Sequence, residues 1–184
     1  MPDTPHGALA RQDGMQALEQ AASQATTQGQ SLAVLMLDLD HFKDFRDSAG
    51  EAAGHAVLDQ LVGILAKSLP AGASLTHLSG DAFFVALLGA DITAAQSLAE
   101  QLREAVATGL GGVAAQPPLT VTLGVATSPA DKMWTASALL SLADARMTFA
   151  KRRLMPHHNL VWAGTLPSDW YIRLDIDPGR WPSI

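Results

Sequence analysis

Apolar positions set the frame of this chain. Residues 32–39 read LAVLMLDL, a nearly unbroken apolar run of strand length. Such a run suits a central strand covered on both faces, because a half-exposed strand would alternate. Further on, Leu58, Leu61, Val62, Leu65 and Leu69 recur at helical spacing. They fall on one face of a helix that Gly54 opens and Pro70 stops. The runs 73–78 and 82–88 are short and apolar, and Ser79-Gly80-Asp81 joins them as a hairpin turn. Ala95, Leu98, Leu102 and Val106 mark another amphipathic helix, with Asp91 or Thr93 as its cap. Residues 119–126, LTVTLGVA, alternate as a strand does and break at Ser128-Pro129. Leu139, Ala143, Met147 and Ala150 define the last long helix, capped by Thr135 or Ser137.

The remaining segments are plainer. Residues 1–14 are turn-rich, and 15–27 form a helix made mostly of Ala and Gln. Residues 41–50, HFKDFRDSAG, carry a short helix ended by Gly50, and 159–163 read as an edge strand. The order is helix, strand, helices, hairpin, helix, strand, helix, strand. That order predicts an α/β sandwich with one sheet. Residues 1–165 form the domain. Residues 166–184 are a tail of different composition, with two of the four Trp, the single Tyr, and Pro167, Pro178 and Pro182. Trp170, Tyr171 and Trp181 suit either interface anchors or a tail folded back on its own domain.

Composition narrows the class. The chain has 184 residues, 48% hydrophobic and 16% charged, which fits one folded domain with a sizeable core. A net charge of -6 gives no general attraction for nucleic acid or an anionic membrane surface. With no Cys there is no disulfide framework or thiolate site, which is compatible with a cytoplasmic setting. No apolar stretch approaches roughly 18 residues, so no membrane insertion is expected. Residues 1–14 lack an apolar signal core.

Three aspartates carry the candidate chemistry. Asp38 and Asp40 share one face at the end of the first strand, and Asp81 sits at the hairpin tip. If that strand lies beside the hairpin, Asp38 and Asp81 converge. Two such carboxylates repel unless a cation sits between them. An all-oxygen set suits Mg²⁺. The plainer reading is that aspartates at strand ends and turns are capping residues. His157-His158 reads as a loop pair, and His6, His41 and His55 are too scattered for a metal-ligand motif. Lys151-Arg152-Arg153 reads as a helix end favoured by the dipole.

Four motifs in order, LDLDHFKDFRDSAG, HLSGDAFFVAL, TVTLGVA and LADARMTFAKR, resemble the GGDEF family of diguanylate cyclases. The likeness spans residues 7–163, and HGALAR looks like a form of the family's TGLxNR opening. It implies a palm-like nucleotidyl cyclase fold: a single central five-stranded, mostly antiparallel sheet with a βαββαβ core, flanked by helices. Family members make cyclic di-GMP from two GTP on two subunits of a transient dimer. The resemblance places metal at Asp38, Asp81 and the backbone of Leu39. It places phosphates at His41, Phe42, Lys43 and Lys151. Free N–H groups at a helix start favour such anions.

The departures are as informative. The signature reads Ser79, Gly80, Asp81, Ala82, Phe83, so an Ala stands where active members have an acid. His77 replaces the usual Arg. Arg46 and His55 stand where members hold guanine with an Asn and an Asp, and neither reproduces those acceptors. The usual phosphate-side Arg falls at Met155, with Arg152 and Arg153 nearby. Residues 70–73 read PAGA, which removes the RxxD grip on cyclic di-GMP. The expectation is a catalytically inactive GGDEF-like module acting through a protein partner in bacterial signalling or assembly. The alternative is a pseudoenzyme that binds GTP or another nucleoside triphosphate with Mg²⁺, the only cofactor implied. A weak nucleotidyl cyclase comes third. Oligomeric state stays open.

Overall fold

The structure is a computed structural model that describes residues 4–133, 135–154, 158–167 and 170. The chain runs α1 (Arg11–Gln28), β1 (Leu32–Asp40), α2 (Phe42–Ala49), α3 (Glu51–Ser68), then the hairpin β2 (Ser74–Ser79) and β3 (Ala82–Leu88). It continues through α4 (Ile92–Gly109), β4 (Thr120–Ser128), α5 (Ala136–Arg153) and β5 (Val161–Trp162). The five strands lie in the order β2-β3-β1-β4-β5. Only β4 and β5 pair in parallel. This is the five-stranded, mostly antiparallel sheet that the palm-like fold requires.

β1 is the central strand because neither of its faces meets water. Ala33, Leu35, Leu37 and Leu39 join a cluster with Leu61, Val62 and Leu65 of α3 and Leu102 and Val106 of α4. Leu32, Val34 and Met36 join a second cluster with Leu18 of α1 and Leu139, Ala143 and Met147 of α5. Asp38 and Asp40 continue the parity of the second set, so their side chains point toward the α5 side. Close helix contact fixes that side. A Cβ on Gly124 of β4 would lie 2.0 Å from the Ala143 carbonyl oxygen and 2.4 Å from the Met147 nitrogen, so only glycine lets α5 settle there.

Several boundaries differ from the sequence reading. α1 begins at Arg11, inside the segment read as turns, and encloses Gly14. That glycine is required by packing: its Cβ would lie 2.1 Å from Thr76 Cγ2 on β2. Just before it, Leu9 N–H donates to Leu75 O at 2.8 Å and His77 N–H donates to Leu9 O at 2.9 Å. Leu9 thereby forms an isolated parallel bridge along the outer edge of β2. α3 begins at Glu51, so Gly54 lies within its first turn instead of opening it, and Leu69 is its C-cap. Asp91 caps α4 by accepting from Ala94 N–H at 2.8 Å. Thr135 caps α5 by accepting from Ala138 N–H at 3.2 Å. β5 is shorter than the stretch 159–163.

The described part of the tail folds back. Leu166 and Trp170 are buried in the second cluster. The Trp170 ring meets Phe149 edge-on at 5.2 Å, and the Arg153 guanidinium sits 6.0 Å from its centre. Trp170 therefore packs on its own domain instead of standing out as an anchor. Tyr171 and Trp181 lie outside the described residues. Among the described residues, no helix is long and apolar enough to cross a membrane.

Candidate metal and phosphate site

Strand register brings the end of β1 to the hairpin turn. Asp38 pairs with Ala82 on one side and Thr122 on the other. Leu39 N–H donates to the Asp81 carbonyl at 3.3 Å. Asp38 and Asp81 consequently line one cleft of about 280 Å³, together with Ser79, Ala82 and Asp144. The Asp81 carboxyl is pushed up to about 6, chiefly by burial and next by the charge of Asp38. A hydrogen bond from its own backbone and the charges of Lys151 and Arg46 offset part of that rise. The predicted convergence of the two carboxylates is thus present.

The turn itself is held by His77. Gly80 has φ 56, a left-handed conformation that glycine takes without strain. The Gly80 carbonyl lies 2.9 Å from His77 Nε2. A carbonyl only accepts, so the ring must carry its proton on that nitrogen. The same ring rests on Phe83 at 4.7 Å.

Behind Asp38 lies a fully buried carboxylate, Asp40, with a complete set of donors. Thr120 Oγ1 donates to its Oδ2 at 2.8 Å, Thr122 Oγ1 to its Oδ1 at 2.9 Å, and Asn159 N–H to its Oδ2 at 2.9 Å. Lys151 Nζ, from the last turn of α5, adds an ion pair to Asp40 Oδ1 at 2.9 Å. The same ammonium pairs with Asp38 Oδ1. Burial disfavours the Lys151 charge, yet Asp38 and Asp40 outweigh it and the net direction of its pKa is upward. Sequence reasoning placed Asp40 on the right face but missed this anchor. The signal was Thr120 and Thr122, two hydroxyls at strand period on a neighbouring run.

Among the described residues, no group of three or more His, Asp or Glu is arranged to hold a metal ion. A metal at this place would have Asp38, Asp81 and backbone oxygen as its protein donors. That hard-oxygen set fits Mg²⁺, which keeps waters and needs only one or two carboxylates. The raised pKa of Asp81 comes first from burial and next from the charge of Asp38, and a bound cation would offset both.

The positions that the resemblance assigns to the base are differently furnished. Arg46 lies across α2 and α3, with its guanidinium 5.7 Å from the centre of the Phe42 ring. A Cβ on Gly54 would come within 3.1 Å of Arg46 Cγ. Arg46 Nε is 3.5 Å from Glu51 Oε1. Phe42 is buried beneath, and Lys43 is exposed. His55 lines a second cleft of about 310 Å³ with Thr4, Pro5, His6, Leu58 and Asp59. His41, before α2, has φ 63, and its ring meets that of His158 at 4.2 Å. Spacing alone hid both juxtapositions: His6 with His55, and His41 with His158. Met155 and His157 lie outside the described residues.

The family described as diguanylate cyclase, GGDEF domain, matches residues 9–156. The chain belongs to the GGDEF family. An uncharacterised signalling protein of Caulobacter vibrioides is 35% identical over 147 residues, which is 79% of this chain and 18% of that protein. Diguanylate cyclase DgcP of Pseudomonas aeruginosa is 30% identical over 135 residues, 73% of this chain and 20% of DgcP. The chain thus spans about a fifth of the length of these curated relatives. Among solved structures, the GGDEF domain of TpbB (or YfiN) from Pseudomonas aeruginosa superposes with a TM-score of 0.77 at 24% identity, covering 93% of this chain and 98% of that one. A sensory box/GGDEF family protein from Caulobacter crescentus has TM-score 0.62 at 32% identity, covering 75% of this chain and 89% of that one. The GGDEF domain described here therefore has the family's sheet.

Proposed function

We propose that this GGDEF domain has lost cyclisation and acts as a regulatory or interaction module in bacterial cyclic di-GMP signalling. The observation that carries this reading is the pairing of Ala82 with Asp38 across β1 and β3. The fourth signature position faces the metal aspartate with a methyl group, which can neither bind a cation nor accept a proton. Arg46, lying over Phe42 and Gly54, supports the same reading from the base side. Cyclisation needs a charged metal site and two oriented nucleotides together, so losses on both sides compound. A divalent cation, when bound, would supply charge neutralisation to phosphates. The residues of this chain then hold and orient, and Ala82 cannot take the proton of the attacking hydroxyl.

Incubation with GTP and Mg²⁺ or Mn²⁺, followed by chromatography, tests the reading. No cyclic di-GMP and no linear dinucleotide should form. Time-dependent product above that of an Asp81→Asn control overturns it.

Asp38, Asp81 and Lys151 favour a second reading, in which a nucleoside triphosphate is held with Mg²⁺ but not turned over. Calorimetry with GTP and with ATP, each with and without Mg²⁺, separates the two. Absence of heat at millimolar nucleotide leaves the interaction module alone.

A further inference from the structure

We propose that Lys151 is a tethered counter-cation that keeps a free divalent ion out of the Asp38–Asp81 cleft. The proposal concerns metal entry and stands whether or not cyclisation is lost.

The ammonium contacts Asp38 and Asp40 at once. Asp40 does not move to follow it, because Thr120, Thr122 and the Asn159 backbone fix both of its oxygens. Lys151 is therefore anchored at a buried point and leans over the more exposed Asp38. Its side chain is 20% exposed, against 0% for Asp40. An ammonium is a compact charge with three donors, and it satisfies carboxylate oxygens without shedding the rigid inner shell that Mg²⁺ gives up reluctantly. A dication approaching Asp38 meets this like charge at contact range, in a place where water screens poorly. It also finds one Asp38 oxygen already taken. Asp81 lines the same cleft as Asp38, together with Arg11 and Asp144. One monovalent cation thus serves Asp38 and Asp40 at once and occupies the place a dication would need.

The arrangement has a way out. Lys151 sits on a flexible four-carbon stem at the last turn of α5, beside Arg152 and Arg153. An anion bearing several charged oxygens, such as a polyphosphate, can draw the ammonium off Asp38. The metal then enters with the anion instead of ahead of it.

The test is Mn²⁺ titration without nucleotide, followed by electron paramagnetic resonance, on the wild-type chain and on Lys151→Met. The wild type should bind weakly. The variant should bind on the order of tenfold more tightly or better, since a repelling charge at contact is gone. Mn²⁺ should raise the melting temperature of the variant and leave the wild type unchanged. Adding Asp38→Asn to Lys151→Met should abolish the gain. Equal affinity in wild type and variant overturns the proposal. If Lys151→Met does not fold, amide spectra of the wild type decide. Millimolar Mn²⁺ should leave the Leu39 and Asp81 signals sharp, and their selective broadening overturns the proposal.

Discussion

Arg146 holds Asp131 with both arms of its guanidinium, at 2.8 Å to Oδ2 and 2.7 Å to Oδ1. The same Arg donates to the Val125 carbonyl at 2.7 Å and to the Gly164 carbonyl at 2.9 Å. Asp131 in turn accepts from Thr127 N–H at 2.8 Å. One buried ion pair therefore ties the end of β4, the turn after it, the segment after β5 and α5 together. Arg146→Ala would leave a shielded carboxylate and two carbonyls without their donor. It should cost about 3–5 kcal/mol by urea denaturation. Arg146→Lys should recover little, because a single ammonium lacks the planar fork.

The donors around Asp40 make a second prediction. Thr122→Val keeps shape and removes a hydroxyl that points at a buried carboxylate. It should lower stability by about 1–3 kcal/mol in the same assay. Thr120→Val should behave alike, because its hydroxyl also ends on Asp40. If both variants match the wild type, Asp40 is not the anchor described here.

Asp81 predicts a pH dependence of opposite sign to that of an ordinary paired carboxylate. Its carboxyl titrates at about 6 in the folded protein, against an ordinary 3.8. Between those values the folded state binds more protons than the unfolded one, so stability falls as pH rises through that window. Above it, ionised Asp81 is a standing cost. Asp81→Asn should therefore stabilise the metal-free protein by about 1–2 kcal/mol at neutral pH, allowing for solvent screening. The gain should shrink to nothing as pH falls below about 4. Urea titrations at several pH values check both ends.

Base recognition can be tested by reversion. Arg46→Asn with His55→Asp would remove the guanidinium over Phe42 and supply the missing acceptors. The double variant should prefer GTP over ATP by roughly tenfold or more in calorimetry, because unpaired polar groups discriminate strongly. Ala82→Glu alone should not create that preference, since it changes nothing on the base side.

The fold was largely legible in the sequence because burial wrote it there. The run at 32–39 is apolar at both parities, and the structure covers both faces of β1. Leu58, Leu61, Val62 and Leu65 were readable for the same reason. Gly14 and Gly54 were misread as helix limits, because a glycine that breaks a helix looks the same as one that lets something pack against it. Thr76 and Arg46 are the reasons, and both come from other elements. In the site, Asp38 and Asp81 could be paired from strand parity once the hairpin was adjacent. The hold of Lys151 on Asp40 could not, since residues 40 and 151 meet only when α5 lies flat on Gly124.

The short parallel bridge made by Leu9 covers the middle of the outer edge of β2. At the other side β5 offers only Val161–Trp162. Among the described residues the outer edge of β2 is partly covered and β5 is very short, which makes the sheet a poor template for an incoming strand. Strand-addition peptides should therefore be ineffective ligands for this domain.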